Sequence, residues 1–106
     1  MTGLIRGRVY RAVLPGVDGE KPYLVVSNNA RNRQLPNVLA VRITTGDKPT
    51  MDSIVVLGPG DRPLVGRVVC DDLIQLWPDE VSKEWGALSP DSMRTVDVGL
   101  RAALAL

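Results

Sequence analysis

Lys21-Pro22-Tyr23-Leu24-Val25-Val26-Ser27-Asn28-Asn29-Ala30-Arg31-Asn32-Arg33, continued by Val38-Leu39-Ala40-Val41-Arg42-Ile43-Thr44-Thr45, decides how the chain is read. The run from Tyr23 to Ser27 is apolar up to its last residue, as expected of a strand covered on both faces. Val38 to Thr44 reads as a second strand, broken by Arg42, whose charge must reach solvent or a partner. Between them the sequence predicts a loop closed by Pro36, and Asn28 to Arg33 places five Asn or Arg in six residues. Apolar strands hold a scaffold, while polar strand ends and loops commonly carry function.

Outward from this pair, short strands recur. Arg6 to Leu14 alternates, with Ile5, Gly7, Val9, Arg11 and Val13 on one face and Tyr10, Ala12 and Leu14 on the other. Pro15 to Glu20 is turn chemistry, and Gly46 to Thr50 and Gly58 to Pro63 are further breaker-rich loops. Strands are expected over Asp52 to Leu57 and over Gly66 to Leu73, the last long one, which Asp71 and Asp72 close. Trp77-Pro78-Asp79-Glu80-Val81 predicts a short helix stopped by Gly86, with Trp77 and Trp85 anchoring it. Ser89-Pro90-Asp91 predicts the start of a terminal helix whose Met93, Val96, Leu100, Ala103 and Leu104 follow helical spacing. The 106 residues are therefore read as one domain, 1–106, mainly β with α (α+β), built as a small bent sheet or barrel.

Composition removes several chemistries. A net charge of +1 announces no nucleic-acid partner, so any basic footprint is local. With no histidine, Ser-His-Asp, Cys-His and two-histidine ribonuclease sites are excluded. One cysteine, Cys70, excludes an intramolecular disulfide, fits a reducing cytoplasm and is expected in the core. No apolar run approaches the roughly 18 residues of a membrane span, and Met1 to Arg6 lacks a signal-peptide core. Bases could stack only on Tyr10, Tyr23, Trp77, Trp85 or an Arg plane, since phenylalanine is absent.

The order Lys21-Pro22, apolar strand, Ser27-Asn28-Asn29-Ala30-Arg31-Asn32-Arg33, apolar strand, Ile43-Thr44 resembles the MazF/PemK/Kid toxins, closest to an actinobacterial branch. Arg6-Gly7-Arg8-Val9-Tyr10 resembles that family's opening, Val69-Cys70-Asp71-Asp72-Leu73 its Cys-Asp-Gln strand end, and Gly86-Ala87-Leu88-Ser89 its approach to the last helix. The resemblance implies an SH3-like β-barrel with a C-terminal helix, acting as a homodimer in the cytoplasm. It implies a toxin that cleaves single-stranded RNA without a metal cofactor and is silenced by a cognate MazE-like antitoxin with a disordered acidic tail. The alternatives are a barrel of the same fold that binds a protein such as DNA gyrase, and a catalytically dead relative.

The family's catalytic arginine position is Lys21 here, a point charge that can hold phosphate or serve as acid or base. Thr44 matches the family threonine, whose hydroxyl can donate to a phosphate oxygen, and Thr45 stands beside it. An acidic residue at the Asp71 position takes part in some relatives, so Lys21, Thr44 and Asp71 are the catalytic candidates. Arg11, which is set to pass the second strand, is expected to supply a guanidinium; Arg42 shares a face with Thr44. Asn28, Asn29, Arg31 and Arg33 can read bases and phosphates, with Asn32 partly structural. Asp72 replaces the family's usual Gln and Ile74 its usual Arg, while Arg67 keeps the face of Val69, a position that can be basic.

Overall fold

Period-two alternation along the strands becomes two apolar layers on the opposite faces of one sheet. The computed structural model describes residues 3–106; Met1 and Thr2, the start of the stretch read for a signal core, lie outside the described residues. In chain order the elements are β1 (Arg8–Ala12), β2 (Lys21–Val25), α1 (Asn29–Gln34), β3 (Val38–Thr44), β4 (Ile54–Val56), β5 (Arg67–Leu76), β6 (Val81–Ala87) and α2 (Pro90–Leu104). The strands form one antiparallel sheet in the order β4-β5-β3-β2-β1-β6. Val9, Leu24, Val41, Ile43, Val68 and Cys70 pack with Met93 and Val96 of α2. Tyr10, Tyr23, Val25, Val38, Ala40 and Leu76 form the second cluster. Each fully buried Val or Leu contributes about 1.5–3 kcal/mol of burial energy.

Helix α2 begins as the sequence predicts. The Ser89 hydroxyl accepts from the Ser92 N–H at 3.2 Å, and Pro90 takes the first turn, where its missing donor costs nothing. Gly99 lets the helix approach: a β-carbon there would stand 2.8 Å from Cys70 Sγ. Cys70 is buried, and burial pushes its thiol up to about 11. Asp61, only 2% exposed, ties the Pro59–Asp61 turn to the helix start, accepting from Ser89 N–H (2.9 Å), Gly58 N–H (3.2 Å) and Ser92 Oγ (2.6 Å). Burial raises the pKa of this carboxyl, but the hydrogen bonds outweigh burial and leave it lowered.

Three expectations are corrected. The Asn/Arg segment is not a loop but the helix α1, whose N-cap Asn28 accepts from the Arg31 N–H at 2.8 Å. The helix expected after Trp77 shrinks to one 3-10 turn, Pro78–Glu80, and its remainder is a sixth strand, β6, pairing with β1. Proline and early acids fit the turn, but tertiary pairing wins over the weak helical propensity that follows. Trp77 and Trp85 consequently anchor no helix and are both exposed. Finally, Asp71 and Asp72 do not close β5, which runs on to Leu76.

Candidate active site

Strands β2 and β3 are antiparallel, so the start of one meets the end of the other. Tyr23 pairs with Arg42, which brings Lys21 and Thr44 to the same end of the sheet. On the other side of β2, Arg11 pairs with Pro22, so the β1 guanidinium arrives there too. Arg11, Lys21, Arg42, Thr44 and Thr45 all line one open pocket of about 240 Å³. These five of the residues expected to act share this pocket.

The electrostatics of this pocket are partly self-compensated. Arg11 Nε donates to Glu20 Oε1 at 2.6 Å, and the guanidinium lies 4.6 Å from the ring centre of Trp85. Ser82 Oγ donates to Glu20 Oε2 at 2.6 Å. Donation from Ser82, then from Arg11, holds the Glu20 carboxyl below the usual carboxylate range. Arg42 is half-buried, and its Nε has no hydrogen-bond partner among the described residues. Thr44 Oγ1 accepts from the Gly46 N–H at 3.1 Å, which leaves its own proton free to point elsewhere. Gly66 makes this corner possible: its φ is +112°, and a β-carbon would stand 2.4 Å from the Thr44 carbonyl oxygen.

Glu20 and Ser82 escaped the sequence reading, which gives Trp85 as a candidate base-stacking ring and a helix anchor, not as a partner of Arg11. Ser82 and Trp85 occupy register slips of β6: Val9 pairs with Gly86 but Tyr10 with Glu84, and Arg11 with Lys83 but Ala12 with Val81. Bulges re-aim side chains near functional sites, and single-sequence alternation does not reveal them. For Glu20 a signal existed, its place one residue before Lys21.

Asp71 and Asp72 arrive by a larger slip. Val41 pairs with Leu73 and Arg42 with Val69, so Cys70, Asp71 and Asp72 are extra on β5. Asp71 Oδ2 accepts from Ser53 Oγ at 2.7 Å, and Asp71 lies outside the Lys21 pocket. Asp72 shares a smaller depression with Arg42, Thr44 and Lys48. Asp71 and Asp72 also line a further cavity together with Arg42. Arg67 reaches the Gly46 carbonyl at 3.5 Å, bracing the loop after Thr44.

The α1 residues sit at the opposite end. Six residue steps separate Val38 from Thr44 along β3, roughly 20 Å at about 3.3 Å per residue. There Asn29 Oδ1 accepts from the Arg6 N–H at 2.8 Å, and Arg31 donates to the Asn37 carbonyl and side-chain oxygens at 2.8 and 3.0 Å. Asn32 is buried, donating to the Ser27 carbonyl at 2.9 Å while the Ser27 hydroxyl donates to its Oδ1 at 2.5 Å. Arg33 is exposed.

A pocket of arginine, lysine and threonine with no histidine can hold and polarise a phosphodiester. The family described as PemK-like, MazF-like toxin of type II toxin–antitoxin systems matches residues 5–104. Endoribonuclease MazF4 of Mycobacterium tuberculosis and Endoribonuclease MazF1 of Mycobacterium bovis are each 42% identical to the chain over 106 residues, which is all of it and 97% of each relative. A solved mycobacterial endoribonuclease in complex with its cognate antitoxin is 42% identical and superposes with a TM-score of 0.90, covering 98% of this chain and 97% of that one. The MazE–MazF structure from Deinococcus radiodurans, at 22% identity and a TM-score of 0.80 over 97% and 96% of the two chains, shares the fold.

Proposed function

The chain belongs to the PemK-like, MazF-like toxins of type II toxin–antitoxin systems and is an endoribonuclease of the MazF type, and from that premise we propose that it cleaves single-stranded RNA in the Lys21–Thr44 pocket. The observation that carries this placement is the convergence of Arg11, Lys21, Arg42 and Thr44 from three strands on one open pocket. Cleavage needs the RNA 2′-hydroxyl held in line with the departing 5′ oxygen, and charge stabilisation as the phosphorane forms. Arg42 and Arg11, which both line the pocket, hold the phosphate. Thr44 donates its hydroxyl proton to a non-bridging oxygen. The Lys21 ammonium stands as a third cation and gives a proton to the departing 5′ oxygen, while the attacking 2′-hydroxyl loses its own proton to solvent water as the new P–O bond forms.

The chemistry uses Lys, Arg and Thr and calls on no metal. The chain acts as a cytoplasmic homodimer, and a MazE-like antitoxin with an acidic disordered tail covers the cationic pocket. A gyrase-binding role finds no support in the 42%-identical relatives, whose names are endoribonucleases. The test is incubation of purified protein with a long single-stranded RNA in EDTA. Discrete fragments are expected; intact RNA, or cuts that vanish with EDTA, would overturn the proposal. Growth arrest in cells without RNA fragmentation would favour the protein-binding alternative.

A further inference from the structure

A second cavity, of about 350 Å³, shares Arg42 with the Lys21 pocket but is not lined by Lys21. Its walls are apolar, formed by Leu14, Val17, Tyr23, Leu73 and Ile74, and its polar groups are Arg42 and the carboxylates of Asp71 and Asp72. An apolar hollow with a few converging polar groups is the usual shape of a small-ligand seat. It does not stand apart from the phosphate pocket. Arg42 lines both, and Asp72 meets Arg42, Thr44 and Lys48 in the depression between them. Whatever enters is therefore within one guanidinium of the phosphate under attack.

The Tyr23 phenol senses the same two groups: burial raises its pKa most, the Arg42 charge lowers it and the Asp72 charge raises it. One Asp71 oxygen is engaged by Ser53, whereas the Asp72 side chain is exposed toward the groove. An ionised carboxylate only accepts hydrogen bonds. It suits a ring edge that offers N–H donors and opposes one that offers carbonyls. Guanine presents a ring N–H beside an amino group, and cytosine and adenine each present an amino group. Uracil presents one N–H between two carbonyls.

Resting on the cleavage reading above, we infer that this cavity seats the nucleobase next to the scissile phosphate and selects an amino-bearing base over uracil, with Asp72 as the acceptor. The apolar walls take the faces of the base, and the three extra residues of β5 hold the carboxylates at its edge. The alternation of β5 alone would have sent Asp71 and Asp72 to opposite faces. The slip in register is what brings both to the cavity.

The test is cleavage of a single-stranded RNA pool, randomised at every position, by the wild-type protein and by Asp72→Asn, with the 5′ ends of all fragments sequenced. The wild-type protein is expected to favour amino-bearing bases over uracil at one position flanking the cut by at least about tenfold. An amide at position 72 supplies a donor for a uracil carbonyl, so Asp72→Asn is expected to reduce that ratio at least about fivefold. As a check independent of the variant, changing the preferred base to uracil in one defined oligonucleotide should slow the wild-type protein by the same tenfold. Equal use of uracil by the wild-type protein at both flanking positions, or an unchanged preference in Asp72→Asn, overturns the assignment while leaving the nuclease intact. Absence of any cleavage by the wild-type protein overturns the nuclease reading and this seat with it.

Discussion

The two ends of the β2–β3 pair use the same kinds of side chain for opposite purposes. At the α1 end, Asn28 caps a helix, Asn29 holds the N-terminal segment, Arg31 is spent on Asn37, and Asn32 is 1% exposed inside a Ser27–Leu39 network. At the other end, Lys21, Arg42 and Thr44 line an open pocket, and Arg42 keeps a buried N–H without a partner among the described residues. Density of polar residues in a sequence therefore says little about function. What matters is whether their donors are already satisfied: those of Arg31 and Asn32 are engaged within the fold, whereas Lys21, Arg42 and Thr44 face an open pocket.

The largest effects should come from the open end. Lys21→Ala and Thr44→Ala are each expected to slow single-turnover RNA cleavage by about 100-fold or more, as removal of one preorganised donor or proton-transfer group does. Their thermal midpoints should stay close to wild type, because both residues are half-exposed and off the apolar clusters. A large drop in stability in either variant would erase the contrast between the ends.

The α1 end should show the converse. Asn32→Ala leaves the Ser27 carbonyl and hydroxyl short of a buried partner and should cost about 1–3 kcal/mol. That is readable as a fall in the thermal midpoint of about 4–8 °C per kcal/mol in a domain of this size. Cleavage by the folded fraction should survive. Asp61 is satisfied in the same manner, and it sharpens the contrast through pH. Its folded pKa lies below its unfolded value, so its contribution is full above the ordinary Asp value of about 3.9 and disappears as pH falls through the lower folded value. Melting curves between pH 6 and pH 2 should fall less steeply at the acid end for Asp61→Asn than for wild type. The smallest effect is expected for Arg33→Ala. Arg33 is exposed on α1, and it does not line the pocket, so its loss should change RNA binding less than about threefold. Any phosphate contact it makes would appear as a shallower salt dependence, by about 0.7 in the log–log slope.

Much of the scaffold was legible in the sequence. Val38 to Thr44 announced itself as a strand, and Ser89-Pro90 marked the start of α2, because local propensity and capping agree with the tertiary result. The convergence of Lys21 and Thr44 was legible through resemblance to the toxin family. Three things were hidden. A six-residue helix is too short for periodicity to reveal, so α1 read as a loop. Strand β6 was masked by a proline and two acids that mark only its preceding turn. The positions of Ser82, Trp85, Asp71 and Asp72 depend on register slips, and pairing partners distant in sequence create these slips.

One measurement bears most directly on where the chemistry resides. A single labelled RNA is cleaved in EDTA, under single-turnover conditions, by the Lys21→Ala/Thr44→Ala double variant and by Arg33→Ala, each verified as folded at the assay temperature. The expected outcome is a rate at least about 100-fold below wild type for the double variant and within about threefold of wild type for Arg33→Ala. Near-normal cutting by the double variant, with loss of cutting in Arg33→Ala, would place the chemistry at the α1 end and contradict the assignment.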